Sequence, residues 1–121
     1  MNNKKKVKGK YIYKNGKYYI GDWMNDQKNG NGILYYKNDK ILYEGDFING
    51  KYEGKGKYIY EIGEYYIGKW LNGNKHGKWI LYDKDDNIKY EGNFVNGKID
   101  GDGKYIYKNG EYYKSYIEYY L

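Results

Sequence analysis

Rings and glycines alternate along this chain with a period of two. Four segments, "YIGDW" from Tyr19, "YEGDF" from Tyr43, "YIGKW" from Tyr66 and "YEGNF" from Tyr90, carry an aromatic residue at each end and a glycine between. Such alternation predicts extended strands. Tyr19, Gly21 and Trp23 then share one face, as do Tyr43, Gly45 and Phe47, Tyr66, Gly68 and Trp70, and Tyr90, Gly92 and Phe94. Asn49-Gly50, Asn72-Gly73 and Asn96-Gly97 come next, pairs suited to turns that need positive φ. A second alternating run follows, "GNGILYY", "GKGKYIY" or "GDGKYIY". It closes at Asn15-Gly16 or Asn109-Gly110, or at the longer "KNDK" and "KDDN". Each unit predicts a β-hairpin, and the hairpins join into one meander. Helix is disfavoured, because each interior glycine costs about 1 kcal/mol.

The hairpins repeat. Units beginning at Tyr19, Tyr43, Tyr66 and Tyr90 are 24, 23, 24 and 23 residues long, and residues 19–65 match 66–112 at 29 of 47 positions. Counting the leading Tyr as zero, glycine recurs at +2, +7, +11, +13 and +20, and these offsets absorb all 18 glycines once a partial leading unit with Gly9 and Gly16 is included. Glycines at +7 and +20 suit turns. Those at +2, +11 and +13 fall inside strands, where a bare backbone is read as a slot for a neighbouring ring. A lone hairpin buries too little to stand by itself, so the units are expected to stack. The fold class is all-β: an elongated single-layer antiparallel sheet of about four to five hairpins, twisted into an open trough.

Composition agrees with burial carried by rings: 21 Tyr, 3 Trp and 2 Phe, with no Ala, Arg, Thr, Pro or Cys. The net charge of +6 is concentrated in Lys4, Lys5, Lys6, Lys8 and Lys10, leaving the body nearly neutral. Without Arg or a basic stripe, nucleic-acid binding is not expected. The absence of Cys fits an intracellular, cytosolic address, and no apolar run of secretory or membrane-spanning length appears. His76 in "NKHG" is a solvated turn residue, since a zinc site needs several such ligands. "DKDDN" (Asp83–Asn87) begins like a calcium loop, but Ile88 and Phe94 stand where Gly and Glu are required. One Ser, one His and no Cys leave no nucleophile triad. No enzyme, metal or cofactor is expected.

"YEGDFINGKYEGKGKYIY" and "YIGKWLNGNKHGKW" resemble the MORN (membrane occupation and recognition nexus) repeat: Tyr-x-Gly-x-Trp/Phe, a turn Gly, then Gly-x-Gly. The resemblance covers about residues 9–117. It implies an elongated hairpin sheet with an aromatic-lined groove, acting as a scaffold or adaptor that binds protein partners and often self-associates. It also implies a cytoplasmic setting with cytoskeletal or membrane association, and phospholipid binding as a secondary property. Three departures stand out: Asp26 for a turn Gly, Trp79 at a +13 slot, and a last unit with Ser115 and Ile117 in place of Gly and ring.

The expected organisation is a basic flexible tail over 1–8, a repeat domain over 9–117 and a C-terminal edge over 118–121. The leading rings and slot glycines named above form the structural ladder. Partner contact is assigned to the second-strand rings Tyr36, Tyr58, Tyr60, Tyr82, Tyr105 and Tyr107. Trp79 joins them as an exposed anchor, with local overpacking as the alternative, so that Trp79→Gly would be neutral or stabilising. The primary function expected is a non-enzymatic scaffold holding a helix or extended segment of a protein along the groove. Homo-oligomers through the sheet ends, and docking of the edge segment "YIEYYL", accompany it. The alternative is a membrane-surface adaptor in which the five tail lysines contact anionic phospholipid.

Overall fold

A computed structural model describes residues 6–106 and 112–115. They form ten strands: β1 (Val7–Ile12), β2 (Tyr18–Met24), β3 (Gln27–Tyr35), β4 (Ile41–Ile48), β5 (Lys51–Ile59), β6 (Tyr65–Leu71), β7 (Asn74–Tyr82), β8 (Ile88–Val95), β9 (Lys98–Ile106) and β10 (Tyr112–Ser115). The strands lie in one sheet in chain order, each antiparallel to the next, and the sheet is open. Sequence and architecture agree on this all-β hairpin repeat. Val7 and Lys8, expected in the tail, belong to β1 and pair with Trp23 and Asp22 of β2.

Two turn types alternate. At one edge, two-residue turns place both central residues at positive φ: Asn49 and Gly50 at 50° and 81°, Asn72 and Gly73 at 52° and 83°. These are the mirror-image turns whose twist matches paired strands. Asp26 occupies the same position at 61°, which its short polar side chain tolerates. The turn glycines also join successive units, since the Gly50, Gly73 and Gly97 amides donate to the Lys28, Tyr52 and Lys75 carbonyls of the preceding hairpin. At the opposite edge, three-residue loops close with a left-handed residue. Tyr13 N–H donates to the Lys17 carbonyl at 2.8 Å, and Gly16 N–H to that of Tyr13 at 3.0 Å. "KNDK" and "KDDN" form the same loop with Asp39 and Asp86 in the left-handed position. The extra residue of the 24-residue units is therefore not in the turn, as its spelling suggests. It is a bulge in the following strand, at Leu42 opposite Leu34 and Tyr35, and at Lys89 opposite Leu81 and Tyr82.

The strand glycines divide into two kinds, not the single class expected. Those at +11 (Gly30, Gly54, Gly77 and Gly101) all have positive φ and lie in the bulge that interrupts each hairpin. They shape backbone and hold no ring. Those at +2 and +13 pair across strands in one row: Gly9, Gly21, Gly32, Gly45, Gly56, Gly68, then Trp79 and Gly92. Rings lie on this row. A Cβ at Gly45 would stand 2.6 Å from Tyr43 Oη, and one at Gly56 would stand 2.6 Å from Tyr43 Cε2. Tyr19 and Tyr43 are completely buried there, in a core formed with Leu42, Phe47, Trp70, Trp79, Tyr90 and Phe94 on one face of the sheet.

Gly56→Ala should cost about 1–3 kcal/mol, because the added methyl enters the space of the Tyr43 ring. Gly50→Asn should cost less than about 1 kcal/mol, since Asn accepts the left-handed turn and a Cβ there meets nothing within 4 Å. Urea denaturation of both variants checks the contrast; equal losses would contradict the slot.

Candidate functional site

The ring-bearing face is built by one local device. The leading Tyr of a hairpin lies flat over a pair of cross-strand glycines, and its hydroxyl donates to the carbonyl three residues on. Tyr19 reaches Asp22 O at 2.9 Å and Tyr43 reaches Asp46 O at 3.1 Å. The second ring then meets the first edge-on, as in Tyr19–Trp23 at 5.3 Å and Tyr43–Phe47 at 5.2 Å. Rings two strands apart also meet: Tyr19 with Phe47 at 5.1 Å and Tyr43 with Trp70 at 5.9 Å. The ladder residues Tyr90 and Phe94 are buried like their counterparts, whereas Trp23 and Tyr66 are half-buried. The Trp23 and Trp70 indole N–H groups and His76 Nδ1 find no hydrogen-bond partner among the described residues; the Trp23 group rests against Gly9, and His76 lies within β7 and not in the solvated turn expected of it.

The third full unit uses the device in reverse. Trp79 comes from the opposite strand, pairs with Gly68 and covers it. Its indole N–H donates to Lys69 O at 2.7 Å, the carbonyl three residues after Tyr66 and thus the acceptor that a tyrosine hydroxyl takes in other units. Trp79 is completely buried. Neither expectation for it holds. It is no exposed anchor, and it does not overpack a slot belonging to another ring; it is the ring in the slot. Trp79→Gly therefore opens a cavity. Tyr66, relieved of that place, stands half-buried beside an open cleft of about 580 Å³ lined by Tyr36, Tyr58, Tyr60, Tyr66 and Leu81, with Lys17, Glu61, Ile62 and Glu64 at its border.

The remaining groove residues separate. Tyr36, Tyr58 and Tyr60 do gather on the ring-bearing face: Tyr58 and Tyr60 meet edge-on at 5.2 Å, and Tyr36 Oη donates to Ile59 O at 2.5 Å. Tyr36 itself is 8% exposed, so the cleft offers little of it. Tyr82 is on the other face. It stacks on Tyr65, neighbour of Tyr66 in β6, at 4.9 Å, and Tyr65 Oη donates to Asp86 at 2.6 Å. Tyr18, Tyr35 and Asp39 repeat that arrangement at 4.7 Å and 2.7 Å. In the Trp-form units the residue at Tyr60's offset is Tyr36 or Asp83, one place beyond Tyr35 or Tyr82, and strand alternation sends the latter pair outward. The Tyr105 side chain, Tyr107, Lys4, Lys5 and "YIEYYL" lie outside the described residues. Of the other tail lysines, Lys8 pairs with Asp22 at 3.4 Å and Lys10 lies 4.7 Å over the Tyr18 ring.

Two lysines on the ring-bearing face carried no signal that the sequence reading used. Lys75 Nζ lies 3.6 Å over Tyr66, with Phe94 and Trp79 at 5.4 and 5.5 Å, and 3.5 Å from Tyr60 Oη. Lys28 lies among Tyr13, Tyr19 and Phe47 at 4.9, 5.5 and 5.9 Å. It borders a second cleft, of about 540 Å³, with Tyr11, Tyr13 and Trp23. Burial lowers the Lys75 pKa to about 8. Burial also raises Tyr19 and Tyr60 to about 12, and pushes Tyr43 and Tyr52 up further. On the other face, the hydrogen bonds to Asp39 and Asp86 raise Tyr18 and Tyr65 to about 12.

The MORN repeat family model matches residues 1–18, 19–40, 43–65, 66–78 and 90–112. The chain belongs to the MORN repeat family. The match to the unit beginning at Tyr66 stops at Lys78, immediately before Trp79 breaks the Gly-x-Gly pattern. MORN repeats are a non-enzymatic module generally associated with protein and membrane interactions. No match among curated proteins accompanies the family match. Among the described residues no helix is long and apolar enough to cross a membrane.

The titrations oppose one another. Lys75 sits below its ordinary 10.5, so its charge disfavours the fold at neutral pH and that penalty is relieved as pH rises from about 8 toward 10.5. The tyrosines sit above their ordinary 10, so the stability they contribute is present below pH 10 and lost as pH rises through about 12. The thermal midpoint should rise slightly between about pH 7.5 and 9.5, a rise that Lys75→Met abolishes, and then fall steeply above about pH 10. Tyrosinate absorbance from Tyr19 and Tyr60 should appear together with loss of the fold. Ionisation of these two near pH 10 in a folded chain would contradict this.

Proposed function

We propose that this MORN protein is a non-enzymatic scaffold that holds an elongated segment of a protein partner along its ring-bearing face. The observation that carries the reading is the cleft at Tyr58, Tyr60 and Tyr66, where half-buried rings stand open at mid-sheet. A single-layer sheet has no second layer to cover such rings, and Tyr supplies apolar area with a polar tip, as interfaces use it. The backbone edges of β1 and β10, the outer strands among the described residues, are the places for self-association or strand addition. A lipid-binding arm is less favoured, because Lys8 and Lys10 are engaged within β1 by Asp22 and Tyr18. A cytoplasmic, cytoskeleton- or membrane-associated setting suits such a scaffold.

Affinity purification followed by mass spectrometry tests the reading. A Tyr58→Ala/Tyr60→Ala variant, and Tyr60→Ala alone, should lose partner recovery at least tenfold, while Tyr18→Ala/Tyr65→Ala on the other face should retain it. Circular dichroism confirms which variants are folded. Undiminished recovery by a folded cleft variant, or loss confined to the other face, would overturn the proposal.

A further inference from the structure

Along the ring-bearing face runs a row of side chains nine places after each leading tyrosine: Lys28, Tyr52, Lys75 and Ile99. Each stands directly across from the second ring of its hairpin, respectively Trp23, Phe47, Trp70 and Phe94. Direct cross-strand neighbours share a face, so the row reads cation, ring, cation, aliphatic along the sheet. Tyr52 stacks on Tyr43 with centroids 4.0 Å apart. Where the row carries lysine, an ammonium group takes that ring's place, over Tyr66 in one unit and among Tyr13, Tyr19 and Phe47 in the other.

Neither ammonium makes an ion pair among the described residues, although Lys8 and Lys89 elsewhere in the sheet do. Carboxylates stand nearby without closing on them: Asp26 borders the Lys28 cleft, and Glu61 and Glu64 border the cleft beside Lys75, where Glu64 engages Lys89. Ring faces compensate part of the lost hydration. A partly buried cation held by ring faces, with one phenol oxygen added at Lys75, still favours a carboxylate that arrives with a ligand. Burial is the cause that lowers Lys75, with no carboxylate acting against it.

We propose that Lys28 and Lys75 are twin receptors for two carboxylates on an acidic, apolar segment of a partner protein. The inference rests on the scaffold reading above and specifies the partner's chemistry. The lysines lie on β3 and β7, four strand spacings apart, or roughly 19 Å at ~4.8 Å each. The partner carries carboxylates at that separation, about 13 residues apart in a helix or about six in an extended chain. Midway it presents an apolar side chain to Tyr52, and beyond Lys75 another to Ile99. The 47-residue repeat thereby acts as a ruler, accepting one charge per two hairpins.

Phage-displayed random 20-residue peptides selected on the whole chain test this. Recovered peptides should carry paired Asp or Glu at one of those two spacings with apolar residues between. Their binding, read by fluorescence anisotropy, should weaken roughly tenfold in Lys28→Met and again in Lys75→Met, each losing a charge-assisted contact. Met keeps the length and apolar stem of Lys, so the packing survives. Lys55→Gln/Lys78→Gln, which removes the same charge from exposed positions, should leave affinity within about twofold, since screened surface charges act weakly. Peptides without acidic bias that are lost in Tyr58→Ala/Tyr60→Ala would overturn the carboxylate receptors while the scaffold reading stands. Enrichment of basic peptides, or acidic peptides indifferent to the two lysines, would do the same. Failure to recover any peptide that depends on this face would overturn both.

Discussion

Contact between an aromatic ring and bare backbone organises this protein. A tyrosine lying across two paired glycines removes its own apolar surface from water, hides backbone that a side chain would otherwise cover, and ends its hydroxyl on a carbonyl three residues on. The contact spans two strands, and the second ring of the following hairpin packs back onto it, as Phe47 does on Tyr19 and Trp70 on Tyr43. A chain poor in aliphatic residues thereby obtains a continuous core on one face of one sheet. Glycine is ordinarily a weakness in a strand. Here any larger residue at the slot would displace the ring that holds two strands together.

The same constraint explains how the third full unit differs. What the slot requires is an aromatic surface with a donor for the waiting carbonyl, and the ring's strand of origin is secondary. Trp79 meets both requirements from across the hairpin, with an indole N–H replacing a phenol. With the slot taken, Tyr66 packs edge-on against Trp79 and carries Lys75 above its ring. A change that preserves the core thus leaves a half-buried Tyr66 lining an open aromatic cleft near the middle of the sheet. One exchange of rings thus shapes both the local core and the face beside it.

Much of this was legible in the chain, for physical reasons. Period-two alternation and Asn-Gly pairs specify hairpins through backbone conformation alone, so strands, turns and open meander followed from local spelling. The location of the ladder rings followed from the same alternation. Tyr82 was misread because "ILYYK" and "ILYDK" shift their rings by one place relative to "KYIYE", and one place in a strand is the opposite face. The bulges at Leu42 and Lys89 are invisible in spelling, since an extra residue fits a turn or a strand equally well until pairing decides. The +11 glycines looked like slots because they sit two places from true ones, yet their positive φ gives them a bulge to make. Trp79 required knowledge of its cross-strand partner, Gly68. Lys28 and Lys75 read as two lysines among 22 until the rings around them were in place.

Ring currents offer the most direct test of the slot. With glycine labelled selectively in carbon-13, each Hα resonance reports whether an aromatic face lies over that backbone. The Gly32, Gly56 and Gly103 signals should lie far upfield of ordinary strand glycines, with those of Gly50 and Gly77 near ordinary positions. Gly68 should shift with the others and return when Trp79 is replaced by Leu, while replacing Tyr66 by Leu leaves it upfield. Slot glycines at ordinary positions, or a Gly68 signal governed by Tyr66, would contradict the account.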